Sequence, residues 1–338
     1  MILSNKRNVS LDILRIIACF LVVFYHSRAT YTGSQEITPP PISVLNNLST
    51  CLAFFLGRLG VPFFLLISGY FSFNKEIDTL VFLKKRITRI VPPLVLWLFG
   101  STLLIGGTSD FWHNVWNLSC AGHLWYLYTL VGILFIIPIV NPFIVKASLK
   151  ELLLYLGLWG LTLIFNHDFF NGIEPIQLDG YGLSASNPIE AFLCFYGYFG
   201  YYILGFIASK YTVSTKTIYC LLFASVLSWV ITIVLLGISV ENVYRSWKYL
   251  SISVALMTFS VFVVFVRWRY NKHSETIRLI SYLTFGCYLV HWIVLELIAK
   301  VAFFQYVNSI VTGSIVFSIS MLISYLISKL PHHKYIIG

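Results

Sequence analysis

The sequence predicts an all-α polytopic membrane protein of about ten transmembrane helices with both termini in the cytoplasm, and three observations predict it. Hydrophobic residues make up 58% of the chain, aromatic residues 17% and charged residues only 11%, against about 25% charged in a soluble domain. The mean hydropathy of +0.82 points the same way. Apolar runs of bilayer-crossing length, roughly 20 residues, recur along the chain. The cations fall in the short gaps between those runs rather than on one basic face, so the formal charge of +10 reads as membrane topology and not as a nucleic-acid surface.

In chain order, the runs lie near 9–29, 48–73, 90–107, 123–142, 151–166, 189–209, 217–237, 248–266, 279–300 and 308–328, the fifth being the shortest. Met1 to Asn8 contain no apolar segment with a small-residue cleavage site, so the first run is expected to be retained as a span. With a cytoplasmic N-terminus, the inner segments hold Lys6, Arg7, Lys75, Lys84, Lys85, Arg86, Arg89, Lys146, Lys150, Lys210, Lys216, Arg267, Arg269, Lys272, Arg278, Lys329 and Lys334, which is 17 of the 23 Lys and Arg. The outer loop from His167 to Asn187 carries Asp168, Glu174 and Asp179 and no cation; it is read either as a contact for a polar acceptor or as a plain connector. No repeat, low-complexity tract or long linker divides the chain, so residues 1–338 are expected to form a single membrane domain. The six scattered cysteines include no CxxC and have no His at ligand spacing, so no metal site is expected.

The ionisable residues inside the runs carry the functional argument. Each costs at least about 2.5–3.5 kcal/mol in hydrocarbon unless it faces a partner or a cavity. In the first run, Asp12 and Arg15 stand three apart and can pair on one helix face. Arg15 and His26 are eleven apart, which at about 100° per residue returns to nearly the same face about 16 Å further on. One stripe then presents a cation deep and an imidazole shallow; the bland alternatives are a snorkelling Arg15 and an interfacial His26. Arg58 lies in Gly57-Arg58-Leu59-Gly60-Val61-Pro62, where it is expected either to pair with Asp12 or to bind an anion. Arg86 and Arg89, if helical, form a two-pronged face suited to phosphate oxygens; otherwise Lys84, Lys85, Arg86 and Arg89 only set topology. The fourth run opens with Gly122-His123-Leu124-Trp125, and the ninth carries His291, read either as catalytic or as a buried histidine bonded to a neighbouring carbonyl.

The segments LDILRIIACFLVVFYHS (11–27), RLGVPFFLLISGYF (58–71), KKRITRIVPPLVLW (84–97), GHLWYLYTLVGILFIIPIV (122–140) and FGCYLVHWIV (285–294) resemble the acyltransferase 3 family of integral-membrane O-acyltransferases. The family's Arg, ten intervening residues and His stand here as Arg15 and His26, and its Arg-x-x-Arg as Arg86 and Arg89. Helices five to eight match in topology and little else. Ile13 and Ile16 stand where many members carry Gly, a departure that bears on subgroup and acceptor. The chain ends soon after the tenth span, so transfer is expected to finish within the membrane domain.

The resemblance implies ten spans in the inner or plasma membrane, surrounded by membrane lipids. It implies an acyl-CoA donor, in the first instance acetyl-CoA, arriving from the cytoplasm, and transfer to a hydroxyl of an envelope glycan or lipid-linked sugar. No permanently bound cofactor is expected. On this reading Arg86 and Arg89, with Lys84 or Lys85, hold the CoA phosphates, and Arg58 adds to the donor side. The pantetheine arm passes Arg15, which Asp12 orients, and the thioester meets His26, acting as general base or as an acyl carrier. His123, Trp125 and His291 are expected on the acceptor side. The alternative is a glycan or lipid transporter, which needs intramembrane charges equally but predicts symmetry between the halves that the sequence does not display. A sensor or scaffold leaves Arg15, Arg58 and His26 without a reason to be in the membrane.

Overall fold

The computed structural model describes residues 8–32, 44–73, 77–107, 110–116, 118, 120–164, 197–239, 242–243, 246–268, 270, 272–301 and 307–338. The loop 167–187 and the first part of the expected sixth span, 189–196, lie outside the described residues. Regular structure among the described residues is helical throughout. The helices are α1 (Val9–Thr32), α2 (Val44–Gly57), α3 (Gly60–Ser72), α4 (Thr79–Ser101), α5 (Phe111–Trp116), α6 (Trp125–Lys146), α7 (Leu149–Ile164), α8 (Phe199–Lys210), α9 (Thr215–Leu236), α10 (Ile252–Arg267), α11 (Ser274–Ala299), α12 (Ser309–Ile327) and α13 (Lys334–Ile337).

Seven segments among the described residues are long and apolar enough to cross a bilayer: Val9–Ser27, Leu48–Ser72, Thr79–Gly106, Gly122–Lys146, Thr215–Leu235, Ser274–Ala299 and Ser309–Ile327. They coincide with seven of the ten apolar runs. At the other three runs the described helices are shorter: α7 has 16 residues, α8 has 12 and α10 has 16.

The third run begins earlier than its hydropathy suggests. The basic stretch Lys84 to Arg89 is part of α4, not a loop ahead of it, because Asp78 caps the helix by accepting the Val81 N–H at 2.9 Å. Lys and Arg are good helix formers. The helix runs on through Pro92 and Pro93, which spanning helices tolerate, and ends in a π-helical turn at Thr102–Gly106.

The described chain packs as two compact units. The first comprises residues 1–61, 76–140 and 265–338. Inside a bilayer, burying apolar surface gives helices little reason to associate, so close packing and interhelical hydrogen bonds do the work. In this unit α1 packs on α11 and α12. Ser27 donates to the Ser309 carbonyl at 2.9 Å, and Phe20 meets Phe317 edge-on at 5.5 Å, so α1 and α12 run antiparallel. The segment around α13 returns to α4, where Trp97 Nε1 donates to the Ile336 carbonyl at 2.8 Å. Gly60 lets the chain after α2 pass close to α1: an added Cβ there would lie 2.8 Å from Val22 Cγ2 and 2.9 Å from the Ala18 carbonyl oxygen.

The second unit comprises residues 62–75 and 141–264. Its backbones approach as closely: a Cβ on Gly205 of α8 would lie 2.2 Å from the Leu66 carbonyl oxygen of α3. Trp159 Nε1 donates to the Gly197 carbonyl at 2.8 Å, and Lys210 Nζ donates to the Val145 and Ala147 carbonyls at 3.2 and 3.3 Å, bringing a cation to the C-terminal end of α6.

Candidate functional site

The first unit holds the residues of the expected catalytic stripe and donor site together with His123, Trp125 and His291. The stripe expected on α1 exists, and what it faces is α11. At the deep end, Arg15 Nη1 reaches Asp12 Oδ1 at 3.1 Å and Ser281 Oγ at 3.2 Å, while Ser281 Oγ donates to the same Asp12 oxygen at 2.9 Å. This small polar knot sits where Asp12 is almost fully buried and the Arg15 side chain is 29% exposed. One helical stretch further on, His26 Nδ1 lies 2.9 Å from His291 Nε2. Arg15 and His26 are eleven apart on α1, and Ser281 and His291 ten apart on α11. The two helices therefore run parallel, nearly in register, and both contribute to each end of the stripe.

A third imidazole completes the shallow end. His291 is fully buried and meets the half-buried His26 end to end, ring centroids 5.1 Å apart and planes nearly parallel at 11°. His123, from the short 3₁₀ turn that leads into α6, meets His291 edge-on at 5.1 Å. Trp292 binds the group together, stacking on His123 at 5.5 Å and meeting His26 edge-on at 5.3 Å. Backbone groups hold the cluster: His291 Nδ1 hydrogen-bonds the Tyr288 carbonyl, and the Tyr288 hydroxyl donates to the His123 carbonyl. Neither His123 ring nitrogen makes a well-formed hydrogen bond among the described residues, although the Leu289 backbone lies beside it. No group of three or more His, Cys, Asp or Glu among the described residues is spaced to hold a metal ion.

The remaining expected site residues spread along the unit. Arg58 stands in the break between α2 and α3, its guanidinium 4.6 Å from the Tyr25 ring centre and 5.2 Å from that of Phe54. Tyr25 is the neighbour of His26, so Arg58 belongs to the shallow end; Asp12 lies about 20 Å away along α1 and pairs with Arg15 instead. Arg86 is half-buried on α4, over the Phe82 ring at 5.6 Å, while Lys84, Lys85 and Arg89 are exposed. Arg86 and Arg89 share one helix face, the two-pronged arrangement that helical geometry requires. Trp125 is half-buried at the start of α6 and meets Tyr126 edge-on at 6.4 Å; the indole stacked on the histidine cluster is Trp292.

Sequence reasoning did not assign Ser281, Tyr288 or Trp292 to the site. A signal existed for two of them: Ser281, Thr284, Tyr288, His291 and Leu295 recur at spacings of three and four, the buried face of a helix. The partner that face meets cannot be read from one helix.

The acyltransferase 3 family model, described as an acyltransferase domain, matches residues 8–329. No curated protein and no solved structure gives a significant match. That family match takes in both helices of the polar stripe, the turn bearing His123 and the Arg-x-x-Arg of α4. The chain belongs to the acyltransferase 3 family and is a multi-pass membrane acyltransferase.

Proposed function

We propose that this protein moves an acyl group, most simply acetyl, from acyl-CoA on the cytoplasmic side to a hydroxyl of an envelope glycan or lipid-linked sugar, with His26 as the group that takes the hydroxyl proton. The observation that supports it is the stripe on α1, with Arg15 at one end and His26 within an imidazole and indole cluster at the other. An enzyme that meets a polar donor and a polar acceptor from opposite sides of a bilayer needs such a line of polar groups between them. In the reaction, the acceptor oxygen attacks the thioester carbonyl and its proton passes to the His26 imidazole. The carbon–sulfur bond breaks, and the thiolate of CoA leaves, taking the proton back. An imidazole suits this exchange because its ordinary pKa lies near neutrality. Trp292, which is only partly buried, offers a flat face of the kind on which sugars stack, and His123 backs it.

The direct test is to incubate the purified protein with acetyl-CoA and a glycan acceptor and to measure free CoA thiol and acylated glycan. Thiol release that depends on acceptor supports the reading; binding without turnover rejects it.

Two further results are expected. Arg86→Ala combined with Arg89→Ala should raise the KM for acyl-CoA more than it lowers kcat. Phosphate contacts remote from the thioester hold ground state and transition state alike. An unchanged KM removes these residues from the donor site. The orientation is tested at Leu80, which is exposed at the start of α4. A cysteine placed there, in a background free of other reactive thiols, should resist a membrane-impermeant reagent in intact cells, because the cationic segments of the chain are assigned to the cytoplasm. Strong labelling reverses the orientation and with it the donor side.

A further inference from the structure

We infer that His291 is a positioning residue that fixes the tautomer of His26, through a hydrogen-bonded line from the Tyr288 carbonyl to His291 to His26. The inference rests on the acyl-transfer reading for its consequence and on geometry for its substance. The direction of each bond in the line follows from its first member. The Tyr288 carbonyl can only accept, so His291 Nδ1 must carry the proton that it donates there. A neutral imidazole protonated on Nδ1 has its lone pair on Nε2. His291 Nε2 lies 2.9 Å from His26 Nδ1, so His26 Nδ1 must carry the proton of that bond. His26 is then the Nδ1–H tautomer, and its lone pair resides on Nε2.

The other assignment, a doubly protonated His291 donating at both nitrogens, places an imidazolium at a residue with no exposed surface. The titratable rings against it are two more imidazoles, His26 and His123, and the Tyr288 phenol, not carboxylates. A lone buried charge of that kind is disfavoured.

The arrangement does for His26 what a carboxylate does for the histidine of a hydrolytic triad. It selects the ring nitrogen that meets the substrate and holds the ring in one orientation. Here the anchor is a backbone carbonyl relayed by a second imidazole, which brings no net charge into the membrane. The Tyr288 contact sets the anchor within a single turn of α11, and the 2.9 Å contact between His26 Nδ1 and His291 Nε2, with ring planes 11° apart, places His26 in line with it. Without His291, His26 can turn over or move its proton to Nε2, and a ring protonated there cannot accept from a hydroxyl.

The experiment compares His291→Gln with His291→Leu in the full-length protein. Gln supplies a carbonyl oxygen able to accept from His26 Nδ1–H; Leu fills similar space and accepts nothing. His291→Leu is expected to lower kcat about 10- to 100-fold with the KM for acyl-CoA little changed, and His291→Gln to recover a substantial part of that loss. A second readout needs no turnover. In protein labelled with nitrogen-15 histidine, the His26 ring resonances, identified as those lost in His26→Ala, should show Nδ1 protonated and Nε2 bare. In His291→Leu the proton should shift toward Nε2. A wild type without turnover whose His26 proton nevertheless shifts toward Nε2 in His291→Leu rejects the acyl-transfer reading while supporting the positioning role. Overturning results are an Nε2-protonated His26 in the wild type, a tautomer unmoved by His291→Leu, or equal losses in Gln and Leu.

Discussion

His26→Ala is expected to lower turnover by about 10²-fold or more, the usual scale for removing a positioned acid–base group, while the protein still inserts and binds acyl-CoA. His26 is only half-buried, so the substitution opens little cavity, and its main structural cost is the partner taken from His291. His26→Gln is expected to fail as well, because an amide holds a hydrogen bond but cannot receive the hydroxyl proton at neutral pH. The measurement is steady-state thiol release together with acyl-CoA binding on the same preparations. His123 and His291 stand in the same cluster and are the competing groups. Near-wild-type transfer by His26→Ala, with His123→Ala or His291→Ala inactive, moves the chemical role to another ring.

What could be foreseen of this site was whatever lies on a single helix. The spacing from Arg15 to His26 is a property of one regular helix, so the stripe was legible without knowing its neighbour. The pairing of Asp12 with Arg15 was legible for the same reason. What the stripe faces depends on how helices distant in sequence pack, and Ser281 and His291 are both more than 260 residues from their partners on α1. Of the two readings of His291, the structure supports the hydrogen bond to a neighbouring carbonyl and also gives it a second partner in His26. Arg58 was uncertain because a helix break leaves its direction undefined; the structure turns it onto Tyr25. The start of α4 was misjudged because hydropathy locates the apolar part of a helix. The cap that begins this one stands at Asp78, before a basic turn.

The other large effect belongs to the deep end of the stripe. Asp12→Asn is expected to destabilise the protein by about 3 kcal/mol, the low end of the usual cost of breaking a buried ion pair. Arg15 retains some exposure and Asp12 almost none, so part of the uncompensated charge can be hydrated. The Asp12 carboxylate accepts both Arg15 and Ser281 through one oxygen, and Ser281 belongs to α11. Its loss therefore leaves the Arg15 charge without its carboxylate and loosens the contact that keeps α1 and α11 in register. That register also brings His26 to His291, so turnover should fall along with stability, although neither group of the chemical step has been touched. A double substitution separates the two effects. Asp12→Asn with Arg15→Met removes the orphaned charge, and should be more stable than Asp12→Asn alone even though one more native group is gone. Thermal unfolding of the detergent-solubilised single and double variants measures this. A double variant as unstable as the sum of its parts would mean that Asp12 and Arg15 are not energetically coupled; recovered stability without recovered turnover is the expected pattern, since the double variant still lacks the cation at the deep end of the stripe.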